Sequence, residues 1–268
     1  MTNKFRKIFL FVLASSISLS SLASWWWGMT GHRVVGQIAE SYLSSKAKKA
    51  IKGILGDESL ATASNWADFI KSDSNFNYLN PWHYMNTKAG LSHDDLMNML
   101  APDTGINLYS KMNFVIRELK NKNLEQDKKI LYLRLLIHFV GDVHQPLHVG
   151  GRPEDLGGNR VRVLWFGDST NLHSVWDEKL VEFQNLSYTE FATAINHTTK
   201  QQRNAWQKTP VTEWFYESYH ISQGIYAGIT RPHQRLSFRY NFDYVQIINE
   251  QLLKGGVRLA GLLNEIFG

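Results

Sequence analysis

Two stretches of the chain repeat one spacing of metal-binding side chains. In H-F-V-G-D, His138 and Asp142 are four residues apart, and in H-S-V-W-D, His173 and Asp177 are four apart. On a helix, positions i and i+4 share a face, so each pair can aim an imidazole and a carboxylate at one point. A surface ion pair has the same spacing. The first pair, however, falls in the most apolar segment of the chain, where a bare carboxylate is costly unless it is paired or metal-bound. His148 follows in Q-P-L-H, fixed in direction by Pro146, and Asp68 (W-A-D) and His83 (W-H-Y) each stand close behind a Trp. Taken singly, each histidine is better explained as a packing or surface group. As a set they describe a metal centre. The chain has no cysteine, and His with carboxylate but no thiolate suits zinc in catalytic rather than structural sites.

These residues need rigid elements behind them. Helical periodicity dominates the chain. Val34, Val35, Ile38, Ala39, Tyr42 and Leu43 form one face, and the pattern runs on to Ile54. Helices are expected over Ala61 to Ile70 and Leu108 to Lys120. The segment Asp127 to Val143 is strongly apolar and predicts a central buried helix, stopped by Pro146. A glycine-rich loop, V-G-G-R-P-E-D-L-G-G-N, spans residues 149–159. Alternation from Arg160 to Phe166 predicts one short hairpin closed near Gly167-Asp168. Helices resume over Leu172 to Phe183, Thr189 to Gln207, Val211 to Gln223 and Phe242 to Ile266. No repeat or linker divides the chain, so the expectation is an all-α class: a single, mainly helical domain with one short β-hairpin.

The first residues have a different character. Lys4, Arg6 and Lys7 precede an apolar run that becomes serine-rich, and Ser21-Leu22-Ala23 offers small residues for cleavage. Residues 1–24 are therefore expected to be a signal peptide, with cleavage as late as residue 26. The run is too short and too interrupted to span a bilayer comfortably. The expected product is exported, periplasmic or secreted, and not membrane-bound. Without the leader's three basic residues the net charge falls from +5 to +2. That is too small for bulk electrostatics to argue nucleic-acid binding, so anion affinity must come from a local site.

The motifs W-G-x-x-G-H, W-A-D, H-F-x-G-D-x-x-Q-P-L-H, G-G-N and N-L-H-x-x-W-D occur in that order, and the chain closes with K-G-G-x-R-L-A-x-x-x-N-E-I. Together they resemble the trinuclear-zinc, single-strand-specific nuclease and 3′-nucleotidase family, which includes mung bean nuclease and the plant bifunctional nucleases. The resemblance runs from Trp27 to Gly268. It implies a helical fold shared with zinc phospholipase C and a cleft holding three zinc ions. One ion would be held by Asp68, His83 and His138. A second would be held by the amine and carbonyl of Trp27 and by His32, with Asp142 bridging the two. The third would be held by His148, His173 and Asp177. Three Zn²⁺ against three carboxylates leaves the site at about +3, which favours a phosphodiester. A close metal pair acidifies a bridging water for in-line attack.

The resemblance further implies that Asp68 orients the attacking water. Where the family has a phosphate-contacting arginine, this chain has Lys71, a point charge without bidentate geometry. Tyr84 would stack on a base, although plain core packing also explains it. Asn86 replaces an acidic residue that fungal members place near the base. Leu156 and Asn159 would complete the pocket around Gly157-Gly158. The substrates implied are single-stranded DNA and RNA, cut to 5′-phosphate ends, and 3′-nucleotides, acted on by a monomer. His144 is a possible supporting residue; His93, His197, His220 and His233 are expected at the surface or in packing. The leader style suggests a bacterial source, so the sequons at Asn185 and Asn196 carry no weight.

Two other readings compete. A zinc phospholipase C of the same fold would carry Glu as the final ligand, where this chain has Asp177. A non-catalytic binding protein would be expected to lack ligands of the close pair, and none is missing. The stretch S-W-W-W-G poses its own problem. Trp27 can offer an amine only if cleavage precedes it, yet small-residue sites follow Ala23 or Ser24. Either a second trimming step frees Trp27, or its carbonyl and His32 hold the zinc with water or with the displaced terminus.

Overall fold

The computed structural model describes residues 28–102 and 104–268; the expected leader and Trp27 lie outside the described residues. The chain begins with α1 (Met29–Ser41), α2 (Ser45–Leu55), and two short helices, α3 (Leu60–Ala63) and α4 (Trp66–Phe69). A 3₁₀ segment, Ser74–Trp82, then delivers His83. Next come α5 (His93–Leu100), α6 (Leu108–Leu119), α7 (Gln126–Val143) and α8 (Pro146–Val149). Strands β1 (Arg162–Trp165) and β2 (Asp168–Asn171) lead into α9 (Leu172–Ser174), a π turn (Val175–Lys179) and α10 (Leu180–Glu182). The chain ends with α11 (Tyr188–Ile195), α12 (Lys200–Lys208), α13 (Val211–Ala227), β3 (Gln234–Leu236) and α14 (Phe238–Phe267).

The expected central helix is α7. Every residue from Leu135 to Val143 is buried, because α1, α4, α6, α13 and α14 pack around it. Each fully buried Leu, Ile, Phe or Val there contributes roughly 1.5–3 kcal/mol, so the helix is held firmly while it carries two ionisable groups. Helix α7 ends at His144. Gln145 then caps α8, its Oε1 accepting from Leu147 N at 2.6 Å, and Pro146 takes the first position of α8, where no N–H is needed. The apolar side chains form one core cluster that extends from Val34 to Leu263.

The mainly helical class holds, with local corrections. The run expected from Val34 to Ile54 breaks at Leu43-Ser44, where Ser44 caps α2 by accepting from Ala47 N. The helix expected over Thr189 to Gln207 is two helices, since Thr199 forms a capping box with Gln202 that starts α12 afresh. The hairpin pairs Leu164 with Ser169 and turns through Phe166-Gly167, both at positive φ. It is not alone. Strand β3 pairs in parallel with β1, giving the order β2-β1-β3. Three residues paired across some seventy positions leave no period to detect in sequence. Among the described residues, no helix is long and apolar enough to cross a membrane.

Candidate metal centre

Eight of the nine residues expected as ligands are described, and all eight converge. Helix α1 brings His32, α4 brings Asp68, and the end of the 3₁₀ segment brings His83. Helix α7 brings His138 and Asp142, α8 brings His148, and α9 with the π turn brings His173 and Asp177. They form three groups able to hold a metal ion: His32, His138 and Asp142; Asp68, His83 and His138; His148, His173 and Asp177. Trp27 lies outside the described residues. Its neighbour Gly28 is buried, and donates its N–H to the Asp177 carbonyl at 2.6 Å.

Local sequence explains the convergence. His138 Nδ1–H donates to the Ser64 carbonyl at 2.6 Å, and His173 Nδ1–H donates to the Gly157 carbonyl at 2.7 Å. Each bond fixes a ring and leaves Nε2 facing the site, a second layer typical of metal-ligating imidazoles. Gly141 explains the glycine in H-F-V-G-D: a Cβ there would overlap the His32 ring. With that space open, His32 stacks on His138 at 3.9 Å between ring centroids. His173 and Asp177 meet, Nε2 to Oδ2, at 2.9 Å. They do so across an α-to-π transition rather than on the regular helix the spacing suggested. Wider turns of this kind are frequent at functional sites.

The groups crowd one another. His83 Nδ1 lies 2.9 Å from His138 Nε2 and 3.1 Å from Asp142 Oδ2, while His138 Nε2 is 3.2 Å from that same oxygen. His32 Nε2 is 3.6 Å from Asp142 Oδ1. Asp142 Oδ1, Asp177 Oδ2 and both nitrogens of His148 are buried in ion-pair contact with one another or with His173, at 2.9–3.3 Å, but none is aligned for a regular hydrogen bond. Buried polar atoms in that state need explaining. Lone pairs aimed at a shared centre, on a donor set of His and Asp alone, fit zinc.

Burial and charge set the protonation. Burial, then the neighbouring His138, lowers the His32 pKa to about 3. Burial, then Lys71, lowers that of His83 to about 3. At His148 burial also opposes the cation, but the pull of Asp177 and Asp142 outweighs it and raises the pKa to about 10. His138 shifts upward in the same way, against burial, through Asp142 and Asp68. Asp142 and Asp177 resist burial's upward push and are lowered by the histidines around them. Gln145 adds a short hydrogen bond from its Nε2 to Asp177 Oδ1.

A cavity of about 420 Å³ opens beside these groups. His83, His148 and His173 line it, together with Lys71, Tyr84, Asn86, Leu156 and Asn159. Every residue expected to contact substrate therefore lines one space with the metal groups. Tyr84 is 44% exposed there, which disposes of the packing explanation. Its segment is held by Met85 N–H donating to the His148 carbonyl at 2.7 Å and Thr87 N–H to the Gly151 carbonyl at 2.9 Å. Asp68 and Lys71 form a pair, Oδ1 to Nζ, at 2.7 Å, and burial lowers the Lys71 pKa.

Some participants were not anticipated. Asn80 lines the cavity, and only its place before the P-W-H turn pointed to it. Gln145 stood inside the Q-P-L-H motif without an assigned role. His144, which the sequence offered as a supporting residue, is buried behind the site, its Nε2 accepting from Arg258 at 3.0 Å. The remaining histidines stand apart; His93, for example, pairs with Glu213 at 2.9 Å on the surface.

A family model described as S1/P1 Nuclease matches residues 27–268. Endonuclease 2 of Arabidopsis thaliana is 30% identical over 273 residues, spanning 90% of this chain and 91% of that protein. Nuclease P1 of Penicillium citrinum is 28% identical over 274 residues, spanning 90% of this chain and 98% of that protein. A match of that extent, on a chain whose motif residues meet in one cleft, is decisive: the chain belongs to the S1/P1 nuclease family and is a hydrolytic enzyme.

Proposed function

We propose that the chain is a zinc-dependent endonuclease that cuts single-stranded DNA and RNA to 5′-phosphate products and also acts on 3′-nucleotides. The observation that carries this reading is the shared cavity. Metal-ligating imidazoles and an exposed aromatic ring line the same 420 Å³ space, the size of a small-ligand site. A base can reach Tyr84 only when unstacked from its neighbours, which favours single strands.

Three zinc ions fit the residues. Asp68, His83 and His138 would hold one, His32, Asp142 and Trp27 a second, and His148, His173 and Asp177 the third. When bound, zinc supplies Lewis-acid charge for the phosphate and a water acidified toward neutrality. The chain's own groups do the rest. Asp68 orients the attacking water and takes up its proton. Lys71, buried against Asp68, places a positive charge on the phosphate side of the cavity. Tyr84 stacks on the base, Asn86 and Asn159 hydrogen-bond its edge, and Leu156 covers it. The same reading takes residues 1–24 as an export signal and 27–268 as one catalytic domain, monomeric and periplasmic or secreted.

The discriminating experiment offers the purified protein single-stranded DNA and a lecithin emulsion side by side. Cleavage of the DNA to 5′-phosphate ends, with the emulsion intact, is the expected result. Hydrolysis of lecithin without DNA cleavage would assign the site to a phospholipase C.

A further inference from the structure

The loop joining α8 to β1 holds three successive residues at positive φ: Leu156 (55°), Gly157 (66°) and Gly158 (86°). Glycine takes this backbone freely, and Leu156 does so only under constraint from its surroundings. The constraint comes from α13. Tyr226 is 6% exposed, and its hydroxyl accepts from Arg152 N–H at 3.3 Å and donates to Asp155 Oδ1 at 2.9 Å. The same carboxylate oxygen accepts from Gly158 N–H at 2.7 Å. The loop is therefore held at its start by Tyr226 from another helix, and at its strained centre by Asp155, whose carboxylate Tyr226 holds in turn.

The pinned loop has two outputs. On one side it presents Leu156 and Asn159 to the cavity. On the other, the Gly157 carbonyl accepts from His173 Nδ1–H and so orients Nε2 toward Asp177. A side chain at Gly157 would press on the Leu147 carbonyl at 3.2 Å, so the close approach needs glycine. We propose that Tyr226 and Asp155 are positioning residues that couple the nucleotide cavity to the His148, His173 and Asp177 group. Setting the loop sets the base wall and one metal ligand together. This inference rests on the nucleotide-cleaving, zinc-binding function proposed above.

The test uses Tyr226→Phe and Asp155→Ala in the full chain. Tyr226→Phe keeps the buried ring and the Arg152 guanidinium over it at 4.2 Å, and removes only the hydroxyl. Asp155 is partly exposed, so its truncation leaves the core intact and carries the test if the first variant fails to fold. Tyr219→Phe is the control: it lies on the same helix and loses two backbone hydrogen bonds, to Lys88 and Leu91, but has no bond to the loop. Zinc per chain is measured after dialysis against graded chelator, and KM for single-stranded DNA is measured at saturating zinc.

Both loop variants are expected to release one zinc at about tenfold lower chelator than the wild type, with the others unchanged, and to raise KM about tenfold. Tyr219→Phe is expected to change neither. A wild-type zinc curve, a wild-type KM, or an equal shift in Tyr219→Phe would overturn the coupling. A wild-type protein that binds no zinc or leaves single-stranded DNA intact would instead refute the functional reading beneath it.

Discussion

His148 Nδ1 lies 3.0 Å from Asp142 Oδ1, while its Nε2 lies 3.3 Å from Asp177 Oδ1. One imidazole thus joins the carboxylate that serves the close pair of groups to the carboxylate of the third. Without metal, a proton on His148 takes over part of the ion's electrostatic role, since both carboxylates favour the cation. The third group thus touches the close pair through a single imidazole.

The metal-stripped protein should have a stability maximum near pH 6.5. His32 and His83 are held near 3 against an ordinary 6.5. The unfolded chain therefore takes up their protons first, and stability falls as pH drops from about 6.5 toward 3. His148 is raised to about 10, so its contribution is full below 6.5 and is lost as pH rises through 10. Each group contributes a slope of about 1.4 kcal/mol per pH unit within its window. Thermal unfolding in chelator from pH 4 to 10 checks this, and a flat profile would contradict the assigned protonation.

Gly141→Ala places a methyl group where the His32 ring lies. Overpacking of this kind costs about 1–3 kcal/mol, and here it also displaces a proposed ligand. The variant should bind one zinc less than the wild type. Retention of the full zinc content, by metal analysis, would separate His32 from the centre.

Lys71 is buried beside Asp68 and faces the cavity. Lys71→Met should lower kcat by about 10²–10³, the usual effect of removing a group that stabilises developing charge. Lys71→Arg should stay within about tenfold of the wild type. Steady-state kinetics on a short single-stranded oligonucleotide would show it; an unaltered Met variant would remove Lys71 from the chemistry.

Tyr84→Ala removes a half-exposed ring and little core. Stacking of one base contributes about 1–3 kcal/mol, so KM on oligonucleotides should rise about five- to hundredfold at unchanged zinc content. Equal KM values in variant and wild type would exclude Tyr84 from substrate binding.

Much of the centre was legible because its residues lie in short, rigid motifs. His138 and Asp142 share a face of a helix too apolar to be anything but central, and Pro146 fixed the turn to His148. The long-range contacts were not legible. The Ser64 and Gly157 carbonyls that aim His138 and His173 are backbone groups, and no residue type announces them. The parallel pairing of β3 with β1, the π turn at Asp177 and the pinning of the glycine loop by Tyr226 depend on packing between distant segments. Thr199 misled in a different way, because a capping residue inside a periodic run divides a helix without disturbing its pattern.

In the proposed function the three His and carboxylate groups hold zinc, and zinc is required for cleavage. The most direct test is to titrate chelated, zinc-free protein with zinc, and to follow bound zinc per chain against the rate of cleavage of a single-stranded DNA. No measurable cleavage is expected without metal, and full activity only as occupancy approaches three per chain. Undiminished cleavage by protein shown to be free of metal would contradict it.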